Sequence, residues 1–197
     1  MLYEVQQNGK SNEWYTPLTV IKAVRDVLGS IELDPASCEV ANRTVGALRY
    51  FTKEDNGLQQ AWLARTLFVN PPYSYEGTKR GMEFGKRQVS IMKLWIEKLI
   101  AEYGAGNVIE AILLTKADPK QVWFRLLWDY TICFSQERIF FNRPERKPET
   151  HQFGTVFVYF GQNCQKFVDV FTTFGIVVTT NGVHRQQDTE GKKFVIM

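Results

Sequence analysis

FVNPPYS, residues Phe68 to Ser74, decides how this chain is read. Leu67, Phe68 and Val69 read as the end of a strand. Pro71 and Pro72 stop it, because proline has no N–H to give to a sheet ladder. The backbone then leaves the sheet stiff and extended, carrying one amide side chain, Asn70, and one ring, Tyr73. Such a corner holds carbonyl oxygens and an aromatic face in fixed positions at a strand end.

The segments before this corner alternate. LTVIKAVRDVLG places Leu18, Ile21, Val24, Val27 and Leu28 at helical spacing, with Thr16 as expected N-cap, Pro17 at the first helical position and Gly29 as the stop. SIELDPAS predicts a short strand, Ile31 to Leu33, ending in an acid and a proline. CEVANRTVGAL predicts a short helix and RYFT a second strand, which makes TLFVN the third.

After the corner, residues 74–90 are glycine-rich and basic, and SIMKLWIEKLIAEYG is an amphipathic helix. VIEAILLTKA is an apolar strand. DPKQVWFRLLWDY is expected to start a helix at Asp118, with Pro119 at its first position. TICFSQERIFF is strand-like, NRPERKPETHQF a proline-rich charged loop, GTVFVYFG a strand, KFVDVFTTFG a helix and IVVTT a last strand. Strands alternating with helices predict an α/β fold: a mostly parallel sheet with helices on both faces. The late ERIFF, TVFVYFG and IVVTT strands are expected to form an antiparallel edge. In such sheets ligands sit beyond the carboxyl ends of strands, which selects Asp34 and Asn70 together.

Composition narrows the class. With 197 residues, 44% hydrophobic and 23% charged, the chain is expected to form one soluble globular domain over 1–197, with a basic insertion at about 74–90. A net charge of +3 is compatible with a polyanionic partner where the basic residues cluster. Cys38, Cys133 and Cys164 are too widely spaced for a CxxC pair, and two histidines make a zinc site improbable. No metal site is expected. The N-terminus has no apolar signal region and no stretch approaches a membrane span, so a cytoplasmic location with reduced thiols is expected.

EWYTP, LDPAS and FVNPPYS, in this order, resemble the phage-type DNA N6-adenine methyltransferases related to Dam, which use S-adenosylmethionine. ADPKQVWFRLL, ICFSQERIFF, TVFVYFG and FVDVFTTFGIVV resemble the second half of that family, so the likeness runs from about Trp14 to Val178. It implies a Rossmann-like methyltransferase fold, DNA as partner, a flipped adenine as substrate, and a bacterial or phage-infected cell as setting. Oligomeric state is left open.

The resemblance assigns roles. The Asn70 side-chain oxygen and the Pro71 carbonyl would accept from the two N–H bonds of an adenine amine, localising its lone pair, with Pro72 stiffening the corner and Tyr73 stacking on an extruded base. An amide is no base at neutral pH, so catalysis is by positioning and electrostatics. Asp34, Pro35, Ala36 and Ser37 are the counterpart of the cofactor loop after the first strand, here without the glycines of a G-x-G loop. Asp34 would accept from the cofactor's ammonium. Thr16 and Pro17 would line the cofactor pocket at a helix start that favours its carboxylate, and Trp14 and Tyr15 would pack on the cofactor or staple the N-terminus. Asp55 is the candidate for the cofactor's adenine amine, with Glu54 competing, and Glu39 or Asn42 for its ribose. Basic residues cluster at Lys79, Arg80, Lys86 and Arg87, and again at Arg143, Arg146 and Lys147, which makes these patches the candidate DNA contacts. Two other readings remain: methyl transfer to another planar amine or amide, such as an RNA base or a protein glutamine, and a non-catalytic DNA-binding protein on the same scaffold.

Overall fold

A computed structural model describes residues 13–72, 90–143, 146–150 and 153–184. The elements run α1 (Leu18–Leu28), β1 (Leu33–Asp34), α2 (Glu39–Val45), β2 (Arg49–Tyr50), β3 (Ala64–Val69), α3 (Ile91–Gly104) and β4 (Val108–Lys116). A 3₁₀ turn (Val122–Leu127) follows, then β5 (Thr131–Ser135), β6 (Phe140–Arg143), β7 (Arg146–Thr150), β8 (Thr155–Phe160), α4 (Cys164–Phe171), β9 (Gly175–Thr179) and β10 (Gly182–His184).

Among the described residues the main sheet has eight strands in the order β10-β9-β5-β8-β4-β3-β1-β2. The pairs β1–β2, β1–β3 and β3–β4 are parallel. The pairs β4–β8, β8–β5, β5–β9 and β9–β10 are antiparallel. Only β8 and β9 therefore oppose β1, and the sheet is mostly parallel in strand direction. The antiparallel pairing is not confined to an edge, because β8 inserts between β4 and β5. It can do so because the chain returns from the small β6–β7 ribbon at the end of the sheet where β4 and β5 finish.

Alternation along the strands covers both faces. Phe68, Ile112 and Leu114 pack with α1 and α4 on one side. Leu67, Val69, Ala111 and Leu113 pack with α3 and the 3₁₀ turn on the other. Strand order reverses around β1, with β2 on one flank and β3 on the other. A crevice opens beyond the carboxyl ends of adjacent strands at such a reversal. Asp34 closes β1, and Asn70 follows β3 directly.

Four local expectations are corrected. Helix α1 begins at Leu18 with Pro17, not Thr16, at its N-cap, and Pro17 supplies only its carbonyl, to Val20 and Ile21. Thr16 is buried and its hydroxyl accepts from Asn70 instead. The DPKQVWFRLLWDY segment forms a 3₁₀ turn, with Trp123, Phe124 and Leu127 anchored in the core, rather than a helix from Asp118. TICFSQERIFF is two strands: β5 enters the main sheet, whereas β6 leaves it. NRPERKPETHQF is not simply a loop, since β7 pairs with β6 through Phe140–Thr150 and Phe141–Glu149. Cross-strand partners, invisible to local composition, decide this.

Candidate active site

The three motifs meet at one cavity of about 470 Å³, a size ordinary for a small-molecule site. Tyr15 and Thr16 line it from the segment before α1. Residues 34–37 line it from the turn after β1, and residues 70–72 from the corner after β3. Pro17 is not in the lining. Tyr73, Lys79, Arg80, Lys86 and Arg87 lie outside the described residues.

Asn70 is oriented by the segment before α1. Its Nδ2 donates to the Trp14 carbonyl at 3.1 Å and to the Thr16 hydroxyl at 3.3 Å. A backbone carbonyl only accepts, so the amide nitrogen must face Trp14. The carbonyl end, Oδ1, is thereby turned to the other side, and no described residue donates to it. The motif before α1 thus sets which atom of Asn70 is available.

Asp34 is 3% exposed. Burial pushes its carboxyl up to about 7, against the smaller opposing effect of the Ala36 N–H, which donates to Oδ1 at 3.1 Å. The Ser37 hydroxyl nearby favours ionisation more weakly. It is itself buried and completes no hydrogen bond of regular geometry. A buried carboxyl with so little compensation is prepared for a cation. Beside it, the Cys38 thiol caps α2, where Ala41 N–H donates to its sulfur at 3.4 Å, and the thiol itself donates to the Tyr15 hydroxyl at 3.7 Å. Burial, then this contact, push the Tyr15 phenol up.

The candidate acids further along behave differently. Asp55 is fully exposed and outside the cavity lining. Its carboxylate accepts from Thr52 N–H at 2.8 Å and Thr52 Oγ1 at 2.9 Å, closing a turn and lowering its own pKa. Glu54 is also exposed. Glu39 pairs with Arg43 one helical turn on, at 2.9 Å. Asn42 is spent on the Ala47 backbone, donating to its carbonyl at 3.1 Å and accepting from its N–H at 2.8 Å. These residues close local structure.

The β6–β7 ribbon sits beside the site. Tyr15 and Asn142 exchange backbone hydrogen bonds at 2.9 Å each way. Phe141 meets the Trp14 ring edge-on at 6.1 Å, and the Arg143 guanidinium lies 4.1 Å over the same ring. Arg143 is also paired with Glu149 at 3.2 Å, its side chain 6% exposed. So the guanidinium holds the ribbon to the motif. Arg146 opens β7, and Lys147 next to it is exposed. Lining residues not singled out from the sequence include Cys38, Leu58, Ile91 and Trp95. Their signal was hidden because, read locally, Ile91 and Trp95 are simply the apolar face of an amphipathic helix.

The family described as DNA N-6-adenine-methyltransferase (Dam) matches residues 5–175, which takes in all three motifs and the ribbon. No curated protein and no solved structure gives a significant match. The chain belongs to the Dam family of DNA methyltransferases.

Proposed function

We propose that this member of the DNA N-6-adenine-methyltransferase family transfers a methyl group from S-adenosylmethionine to the exocyclic amine of an adenine turned out of duplex DNA. The observation that carries this reading is the orientation of Asn70: its nitrogen is tied to Trp14, which leaves its oxygen as an acceptor at the cavity wall.

The residues present fit the cofactor. Asp34, buried and thinly compensated, suits its ammonium group. Ser37 brings an unspent buried hydroxyl. Thr16 lies just ahead of the start of α1, where a carboxylate is favoured. Phe51, Leu58 and Trp95 give the cavity apolar walls for a flat ring. When bound, S-adenosylmethionine supplies an electrophilic methyl on its sulfonium. The strand reversal beside β1 supports a Rossmann-like arrangement of this kind.

The chain's own part is to prepare the nucleophile. The amine of adenine is a poor one, since its lone pair is delocalised into the ring. Asn70 Oδ1 and the Pro71 carbonyl accept its two N–H bonds and turn the lone pair out of conjugation. Pro71 fixes its own φ, and Asn70 is held by two hydrogen bonds, so neither acceptor reorganises during the reaction. Neither is a base at neutral pH, and the displaced proton passes to water after transfer. The β6–β7 ribbon, joined to the Tyr15 backbone, would lie along the duplex, with exposed Lys147 meeting a phosphate. A two-stranded ribbon is also of a width that the major groove admits.

Methylation-aware sequencing of DNA from expressing cells tests the reading. N6-methyladenine at one recurring short sequence is expected. Unmodified DNA together with methylated RNA or glutamine would transfer the proposal to that substrate, and no binding of S-adenosylmethionine to the purified protein would end it.

A further inference from the structure

Buried polar side-chain atoms almost always have partners, because an unmet donor forfeits its hydration with no return. Ser37 Oγ and Trp95 Nε1 lack them, and both residues line the same cavity. Ser37 belongs to the Asp34 end already described. Trp95 comes from α3, is 6% exposed, and stacks on Trp62 with ring centres 5.8 Å apart and planes inclined by 26°. The two indoles differ in one respect. Trp62 N–H donates to the Gly57 carbonyl at 2.8 Å, whereas Trp95 N–H reaches no acceptor among the described residues.

Trp95 stands close to the loop after β1. Gly57 separates them: a side chain at 57 would collide with the Pro35 carbonyl and come within 3.1 Å of the Trp95 ring. Leu58, Ile91 and Pro72 line the same cavity and are apolar. Asp55, the acid that the family resemblance assigns to a purine amine, is turned away onto Thr52. A purine entering this part of the cavity therefore meets apolar surface, and one of the residues that supply it carries an unspent donor. Purine ring nitrogens are in-plane acceptors, the complement such a donor needs.

We propose that Trp95 is a cofactor-binding residue whose indole N–H donates to a ring nitrogen of the purine of S-adenosylmethionine. The proposal rests on the function proposed above, and adds a residue that fixes the adenine end of the cofactor. It also accounts for a donor left bare in an otherwise tightly packed stack.

The test uses the full chain labelled with ¹⁵N-tryptophan, which carries five indole N–H groups. Trp95→Phe identifies the signal by its disappearance, and keeps a ring for the stack. S-Adenosylhomocysteine is the probe. The Trp95 signal should move downfield on saturation, while that of half-exposed Trp128 stays in place. Calorimetry should show S-adenosylmethionine binding roughly tenfold more weakly to Trp95→Phe than to wild type. Among the 1-, 3- and 7-deaza analogues, the one lacking the accepting nitrogen should bind both proteins alike. An unmoved Trp95 signal, or an affinity in Trp95→Phe within twofold of wild type, overturns the proposal and leaves the methyltransferase reading intact. Wild type that binds no S-adenosylhomocysteine overturns both. Should Trp95→Phe not fold, Phe variants of the other four tryptophans assign the remaining signal, and the downfield shift in wild type decides alone.

Discussion

Asn70 Nδ2 lies 3.1 Å from the Trp14 carbonyl oxygen, a contact spanning 56 positions of sequence. It determines which end of the Asn70 amide is free, and it ties the segment before α1 to the corner proposed to be catalytic. Asn70→Ala should retain S-adenosylmethionine binding and lose about 10²–10³-fold in methyl transfer, by analogy with removal of one preorganised electrostatic partner. Asn70→Asp should be no better, since it sets a carboxylate oxygen against the Trp14 carbonyl. Transfer of labelled methyl to DNA, paired with calorimetry, measures both. Normal methylation by Asn70→Ala would remove the acceptor role.

Asp34 gives a pH signature. Burial lifts its carboxyl from 3.8 to about 7, so the folded, ligand-free protein holds a proton that the unfolded chain releases. Ligand-free stability should therefore fall as pH rises from about 4 to about 7. The proposed contact of Asp34 with the cofactor's ammonium needs the ionised form, so affinity should rise through about pH 7. Asp34→Asn should flatten both profiles. Thermal unfolding at several pH values, with and without S-adenosylhomocysteine, reads both trends.

Gly57 is required by space. Its missing side chain leaves room for the Pro35 carbonyl and the Trp95 ring. Gly57→Ala should cost about 1–3 kcal/mol of stability, as overpacking does, and should weaken cofactor binding by displacing the loop after β1. Denaturant unfolding and cofactor titration check this, and an unshifted midpoint would contradict it.

The ribbon should act on DNA and not on the cofactor. Lys147→Ala should weaken DNA binding and lower the slope of log affinity against log salt by about 0.9 for one lost phosphate contact. S-adenosylmethionine affinity should be unchanged. Phe141→Ala empties a fully buried site against Trp14 and should cost about 3–5 kcal/mol. A Lys147→Ala protein with an unaltered salt slope would place the phosphates elsewhere.

Local chemistry in the sequence determined a good deal of this protein. Pro71 and Pro72 end β3, apolar spacing marks α1 and α3, and the order of EWYTP, LDPAS and FVNPPYS carries the family and the location of the cavity. Those features depend on residues near one another in the chain, and the chain states them directly. Tertiary structure alone decided the rest. It turned the Asn70 amide by a carbonyl far away in sequence, gave Thr16 to Asn70 in place of the helix cap, and folded RKPET, Arg146–Thr150, into a strand against β6. It also spent Asp55 on a turn and left the Trp95 donor bare beside the cavity. A polar group's availability depends on what else reaches it, and its competitors come from other strands and helices.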